Sequence, residues 1–151
     1  MIAVLQRALN SEVVIDGTSV GKGGHGFLLL VGFERGDDSE DLRLMAEKIL
    51  KIRLFSDDAG KMNLSVCDIE GDILVVPNFT LLAAYRKGNR PDFMNSAPPA
   101  EAREMFEKFK SLLAEHVHTE SGVFGADMKV SLCNDGPVTV VMDSRVLKRE
   151  R

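Results

Sequence analysis

The chain has 151 residues, a formal net charge of −4 and a sequence pI near 5.4, with 44% apolar and 28% charged residues. That balance fits one soluble globular domain and excludes a protein whose main task is to coat nucleic acid, since phosphate affinity comes from Lys and Arg. No apolar run reaches the ~18 residues that span a bilayer, the N-terminus lacks a signal-peptide pattern, and Cys67 and Cys133 lack CxxC spacing, so a cytoplasmic protein without a disulfide framework is expected.

The first predicted element is an apolar strand from Ile2 to Ala8. In "SEVVIDGTSVG" the pair Asp16-Gly17 is a two-residue hairpin signal. "FLLLVGF" is continuously apolar and predicts a strand buried on both faces. Asp37, Asp38 and Ser39 then offer an N-cap to a helix carrying Leu42, Met45, Ala46, Ile49 and Leu50 at helical spacing. "FSDDAGKMNLSV" is rich in turn residues, and "DILVVPNFTLL" is a strand that becomes irregular at Pro77. The polar stretch "AAYRKGNRPDFMNSAPP" ends in Pro98-Pro99, which open a second helix striped with Ala102, Met105, Phe106, Phe109, Leu112 and Leu113. In "MKVSLCNDGPVTVVMD" two strand-like halves flank Asn134-Asp135-Gly136-Pro137, four residues that each bend or break a strand. The order predicts a mixed α/β single domain over residues 1–145, a curved, barrel-like β-sheet covered by two helices. Residues 146–151 read as a disordered basic tail.

Familiar side-chain chemistry is missing. "GKGGHG" lacks phosphate-loop spacing and precedes a strand, so it reads as a flexible hairpin connection. His116 and His118 form H-x-H without a further ligand at matching spacing, so no metal site is expected. There is no G-x-S-x-G elbow, and no histidine has an evident orienting partner. An enzyme built this way would run a reaction that needs little help from side chains. Two stretches resist a packing explanation: "VPNFTL", where a buried strand meets a proline, and "NDGPVT".

Those two stretches, with "IAVLQRA", "FSDDAGKMNLSV", "KGNRPDF" and "FGADMKVSL" in the same order, resemble the D-aminoacyl-tRNA deacylases from Met1 to about Val141. The resemblance implies a β/β/α-layered homodimer with active sites at the subunit interface. It implies hydrolysis of the ester joining a D-amino acid, or glycine, to the 3′-terminal adenosine of tRNA, without a cofactor and without membrane or DNA partners. It further implies a cis bond between Gly136 and Pro137, a pair that one subunit inserts into the active site of the other. Paired backbone carbonyls there would admit hydrogen but no L side chain. Arg7 stands where the family braces this pair, with a planar donor fork suited to carbonyls. "NFTL" falls on a family motif that usually reads Ser-Gln-Phe-Thr-Leu; here Pro77 and Asn78 replace serine and glutamine, so contacts of that glutamine do not carry over. The backbone N–H groups of Phe79 and Thr80 would form the oxyanion site, with Thr80 positioning rather than attacking. Arg86, Lys87 and Arg90 would meet acceptor-end phosphates. The alternative is a catalytically inactive nucleic-acid- or nucleotide-binding homologue of the same fold.

Overall fold

One long strand organises the sheet. In the computed structural model, which describes residues 1–149, β1 (Ile2–Ile15) runs for 14 residues, well past the Ala8 expected. Asp16 (φ 49°) and Gly17 (φ 77°) both take the left-handed conformation, the geometry of the two-residue hairpin turn. Behind the turn, β2 (Thr18–Gly23) and β3 (Gly26–Gly32) lie along the same flank of β1, and the register carries across their junction, Ser11 opposite Gly23 and Ala8 opposite Gly26. Gly24-His25 is therefore an interruption within one return arm, and the expected hairpin connection is corrected. The interruption has a local cause: the Gly24 N–H donates to the Asp72 carboxylate at 2.7 Å. At Gly26 a Cβ would lie 1.9 Å from the Asp72 carbonyl oxygen.

Helix α1 (Ser39–Lys51) starts in a reciprocal capping box: the Asp38 carboxylate accepts from the N–H groups of Glu40 and Asp41, and the Asp41 carboxylate accepts from the Asp38 N–H. All five residues of its predicted stripe are buried. A small hairpin follows, β4 (Phe55–Ser56) with β5 (Met62–Leu64). Next comes β6 (Asp72–Pro77), parallel to β3 and buried from Ile73 to Val76. Residues Phe79–Leu82 form a 3-10 turn, the irregularity expected from Pro77 onward. Helix α2 (Pro99–Ala114) opens with Pro98 as N-cap and Pro99 in the first turn. Short β7 (Thr119–Ser121) adds to β6, and β8 (Lys129–Asp143) lies antiparallel along the remaining flank of β1.

The apolar run in β3 divides between two cores. Phe27, Leu29 and Val31 join Leu5, Met45, Phe106 and Phe109 under α1 and α2. Leu28 meets Val13, Leu74 and Val76 on the opposite face, with Met128 and Leu132 packed against them. The sheet curls to enclose this second cluster: a Cβ on Gly21 would lie 2.8 Å from the Ser121 carbonyl oxygen, and the Lys22 N–H donates to the Glu120 carboxylate at 2.6 Å. The result is a nearly closed, barrel-like sheet.

The tail expected to be disordered is instead helical as far as it is described. Residues Ser144–Arg149 form α3, which docks on the start of α1 through Lys148 Nζ, 2.7 Å from Asp41 Oδ2. Lys148 meets the carboxylates of Asp38 and Asp41 at the start of α1, and these charge-assisted bonds tie the segment down. Burial raises the Asp41 pKa, but Lys148, the Asp38 N–H and the Ser144 hydroxyl outweigh that and hold it at about 2. Residues 150 and 151 of the expected tail lie outside the described residues.

Candidate active site

Three of the four breakers of β8, together with Val138, form a bulge opposite a single residue of β1. Gln6 pairs with Thr139 and Ala8 with Asn134, leaving residues 135–138 to loop out across from Arg7. The Gly136–Pro137 bond is cis and Gly136 has φ 156°. A Cβ at Gly136 would sit 2.4 Å from the Val138 backbone nitrogen and 2.7 Å from its Cγ2, so only glycine fits.

Two side chains hold this bulge. Arg7 lies within the sheet, on a strand flanked by β3 and β8, and is only 11% exposed. Its Nε donates to the Asp135 carbonyl oxygen at 2.9 Å and its Nη1 to the Leu54 carbonyl oxygen at 2.7 Å. Asn134, which the sequence reading passed over as a turn residue, closes the bulge from the other side. Its amide group accepts from the Val138 N–H at 3.0 Å, donates to the Val138 carbonyl at 3.0 Å and reaches the Arg7 carbonyl at 3.3 Å. A side-chain amide here replaces the ladder partner that the bulge has lost. His25 also comes close, its Nε2 4.0 Å from Asp135 Oδ2 and its ring edge-on to Phe55 at 5.3 Å. Nothing in its own sequence neighbourhood signals that approach.

The second stretch shapes a cavity. Where β6 ends, the Asn78 N–H donates to the Val31 carbonyl at 2.7 Å and the chain turns into the 3-10 segment. No side chain caps this turn, because the Asn78 side-chain amide oxygen accepts from the Thr80 hydroxyl instead. Among the described residues the N–H groups of Phe79 and Thr80 consequently have no partner, as expected for the first donors of any helical turn. Beside them lies a cavity of about 420 Å³ walled by Pro77, Phe79, Phe93, Pro98 and Phe124. Phe79 and Phe93 meet edge to face at 5.1 Å. The wall hydroxyl of Ser96 has no protein partner among the described residues. The size and apolar lining suit a planar heterocycle. Arg86, Lys87 and Arg90 are exposed in the loop that returns to Phe93.

These two features do not meet within one chain. Arg7 pairs with Phe27 near one end of β3, while Val31 pairs with Pro77 at the other. Four residues along the strand and three strand spacings across give a separation of roughly 20 Å over the sheet. Arg7, Gly136 and Pro137 thus form one cluster, and Asn78, Phe79 and Thr80 another.

Comparison with known proteins adds an independent line. A family model described as D-Tyr-tRNA(Tyr) deacylase matches residues 4–143. The D-aminoacyl-tRNA deacylase of Kosmotoga olearia is 50% identical over 145 residues, spanning 96% of this chain and 98% of that protein. The D-aminoacyl-tRNA deacylase of Anaeromyxobacter dehalogenans is 49% identical over 148 residues, spanning 97% and 99%. The solved structure of a c-Myc DNA Unwinding Element Binding Protein shares the fold with a TM-score of 0.90 at 36% identity, covering 95% of this chain and 98% of that one.

Proposed function

The chain belongs to the D-Tyr-tRNA(Tyr) deacylase family, and from that membership we propose that it is a hydrolase of D-aminoacyl-tRNA acting as a homodimer with two shared sites. The observation that carries the dimer is the separation just described: each cluster is well formed, and only a second copy brings them together. Exposed Leu9 and Val141, on the strands that flank the bulge, supply apolar surface for such contact.

In this reading the cavity beside Phe79 takes the terminal adenine. The free N–H groups of Phe79 and Thr80 point their partial charge at the ester carbonyl, stabilising the oxyanion as it forms. Water adds to the carbonyl carbon, assisted by the vicinal 2′-hydroxyl of the ribose. The bond from that carbon to the ribose oxygen then breaks, giving free tRNA and the D-amino acid. Thr80 positions and does not attack, since its hydroxyl proton is engaged by Asn78 and no base accepts it.

Gly136 and Pro137 of the second copy wall the other side of the amino acid. Because the wall is backbone, an L side chain collides with it whatever its identity, and a D side chain points away. Glycine carries no side chain to exclude, so glycyl-tRNA is a substrate too. Arg7 and Asn134 keep the wall in place. The site needs no cofactor, and its substrate places the protein in the cytoplasm.

The test is deacylation of D-, L- and glycyl-aminoacyl-tRNA by the purified protein. Hydrolysis of the D and glycyl esters with the L ester spared is the expected result. A protein that binds the tRNA but hydrolyses none of the three would be the inactive nucleic-acid-binding homologue instead.

A further inference from the structure

Ala84 and Asp92 exchange both backbone hydrogen bonds, at 2.7 and 2.8 Å, and so close residues 85–91 into a loop. The loop stands away from the body: at Gly88, with φ 68°, a Cβ would meet nothing within 4 Å. Its first residue, Tyr85, is 81% exposed. Arg86, Lys87 and Arg90 follow, and among the described residues none of them has an ion-pair partner. The loop's base leads directly into Phe93, which walls the cavity. Arg35, also at the cavity, donates from Nε to the Met94 carbonyl at 2.8 Å, which leaves its other N–H groups for solvent or ligand.

A bare aromatic ring among unpaired cations is unusual on a chain of net charge −4. It is the combination by which proteins hold single-stranded nucleic acid, a π-face for a base and cations for the phosphates. We propose that Tyr85 is a stacking platform for the nucleotide immediately 5′ of the terminal adenosine, with Arg86, Lys87 and Arg90 on the flanking phosphates. The proposal rests on the deacylase reading for the identity of the ligand. A second copy of this chain is the poorer occupant, because two such loops meeting across a two-fold axis would set like charges against each other.

The composition supplies a clean probe. The chain has one tyrosine and no tryptophan, so its near-ultraviolet emission reports Tyr85 alone. Titration with the trinucleotide CpCpA, corrected for absorbance with free tyrosine, is expected to quench that emission, whereas adenosine leaves it unchanged. In kinetics, Tyr85→Ala is expected to raise KM for D-aminoacyl-tRNA about tenfold or more, the scale of a lost base stack, with kcat held. D-aminoacyl-adenosine, which lacks the preceding nucleotide, is expected to be hydrolysed by the variant as by the wild type. Tyr85→Phe keeps the ring and restores the tRNA KM.

Absence of quenching by CpCpA overturns the proposal. So does equal quenching by adenosine, which would assign the ring to the terminal nucleotide, or dissociation of the dimer by Tyr85→Ala in light scattering, which would assign it to the subunit interface. Quenching by CpCpA in a protein that hydrolyses neither ester would leave the platform standing and remove the deacylase reading, so the two failures are distinguishable.

Discussion

If each site takes one cluster from each copy, two dead variants should revive one another. Gly136→Ala forces a Cβ to within 2.4 Å of the Val138 backbone nitrogen, so the bulge must refold and the wall is lost. Phe79→Pro deletes one of the two free N–H groups and the ring beside the cavity while sparing the turn. Proline is accepted at the first position of a helical turn, and Asn78, at φ −147° and ψ 90°, already has the extended backbone that precedes proline. Removing one oxyanion donor costs about 10²–10³ in kcat, and a bulge forced to refold at the mouth of the shared pocket obstructs the substrate, so either variant alone should be close to inert. Co-expressed in equal amounts, they give half heterodimers if the subunits pair at random. In a heterodimer one site combines both lesions and the other combines none, which predicts about a quarter of the wild-type rate from an isologous dimer. The assay is the initial rate on D-aminoacyl-tRNA for the co-purified mixture against each variant alone. A mixture no faster than the mean of its parents would refute the shared site, and with it the role given to Gly136 and Pro137 in a partner's pocket.

Three further outcomes are expected. Arg7→Ala leaves the Asp135 and Leu54 carbonyls without their charged donor, at about 1.5–3 kcal/mol for each bond; the D-ester rate should fall ten- to a hundredfold, with a lower Tm and a smaller D-to-L ratio. An unchanged ratio and Tm would show that Arg7 braces nothing. Thr80→Ala keeps the N–H and should stay within about tenfold of wild type, whereas a nucleophile's loss would cost several orders of magnitude. The carboxyl of Asp41, held at about 2 against an ordinary 3.8, contributes stability that is present above pH 4 and lost as pH falls toward 2. Lys148→Met should reduce that acid-dependent part of the Tm profile measured by circular dichroism, and a profile identical to wild type would mean that α3 is not tied down through this pair.

What was legible in the sequence was local. The stripe of α1 and its cap are read from neighbours a few residues apart, and the pattern Leu42, Met45, Ala46, Ile49, Leu50 is buried as its spacing requires. The Asp16-Gly17 turn is equally local. Helix α3 escaped because six residues hold too little periodicity to signal a helix; it is fixed by contact with Asp38 and Asp41, more than 100 residues away in sequence. Gly24-His25 was misread for a related reason. Glycines announce freedom of the backbone, but the freedom here serves the approach of Asp72 rather than a turn.

The site was the harder part because most of it is backbone. The breakers at Asn134–Pro137 could be seen to interrupt β8, yet the residue that makes the interruption rigid is Asn134, through a bond to the Arg7 carbonyl across 127 positions. At the other cluster, Asn78 stands where the family resemblance implied a glutamine, and its side-chain amide oxygen accepts from the Thr80 hydroxyl. If that side chain carried the chemistry, the shorter residue would be a lesion. In the proposed mechanism the donors are instead the N–H groups of Phe79 and Thr80, which any non-proline residue can supply and which stay free because Asn78 does not cap them. A substitution that removes a side-chain contact while leaving the turn uncapped is thus compatible with an intact oxyanion site. Backbone groups leave no signature in residue identity: the family resemblance alone pointed to these two, and the fold adds that their uncapped turn lies beside the cavity.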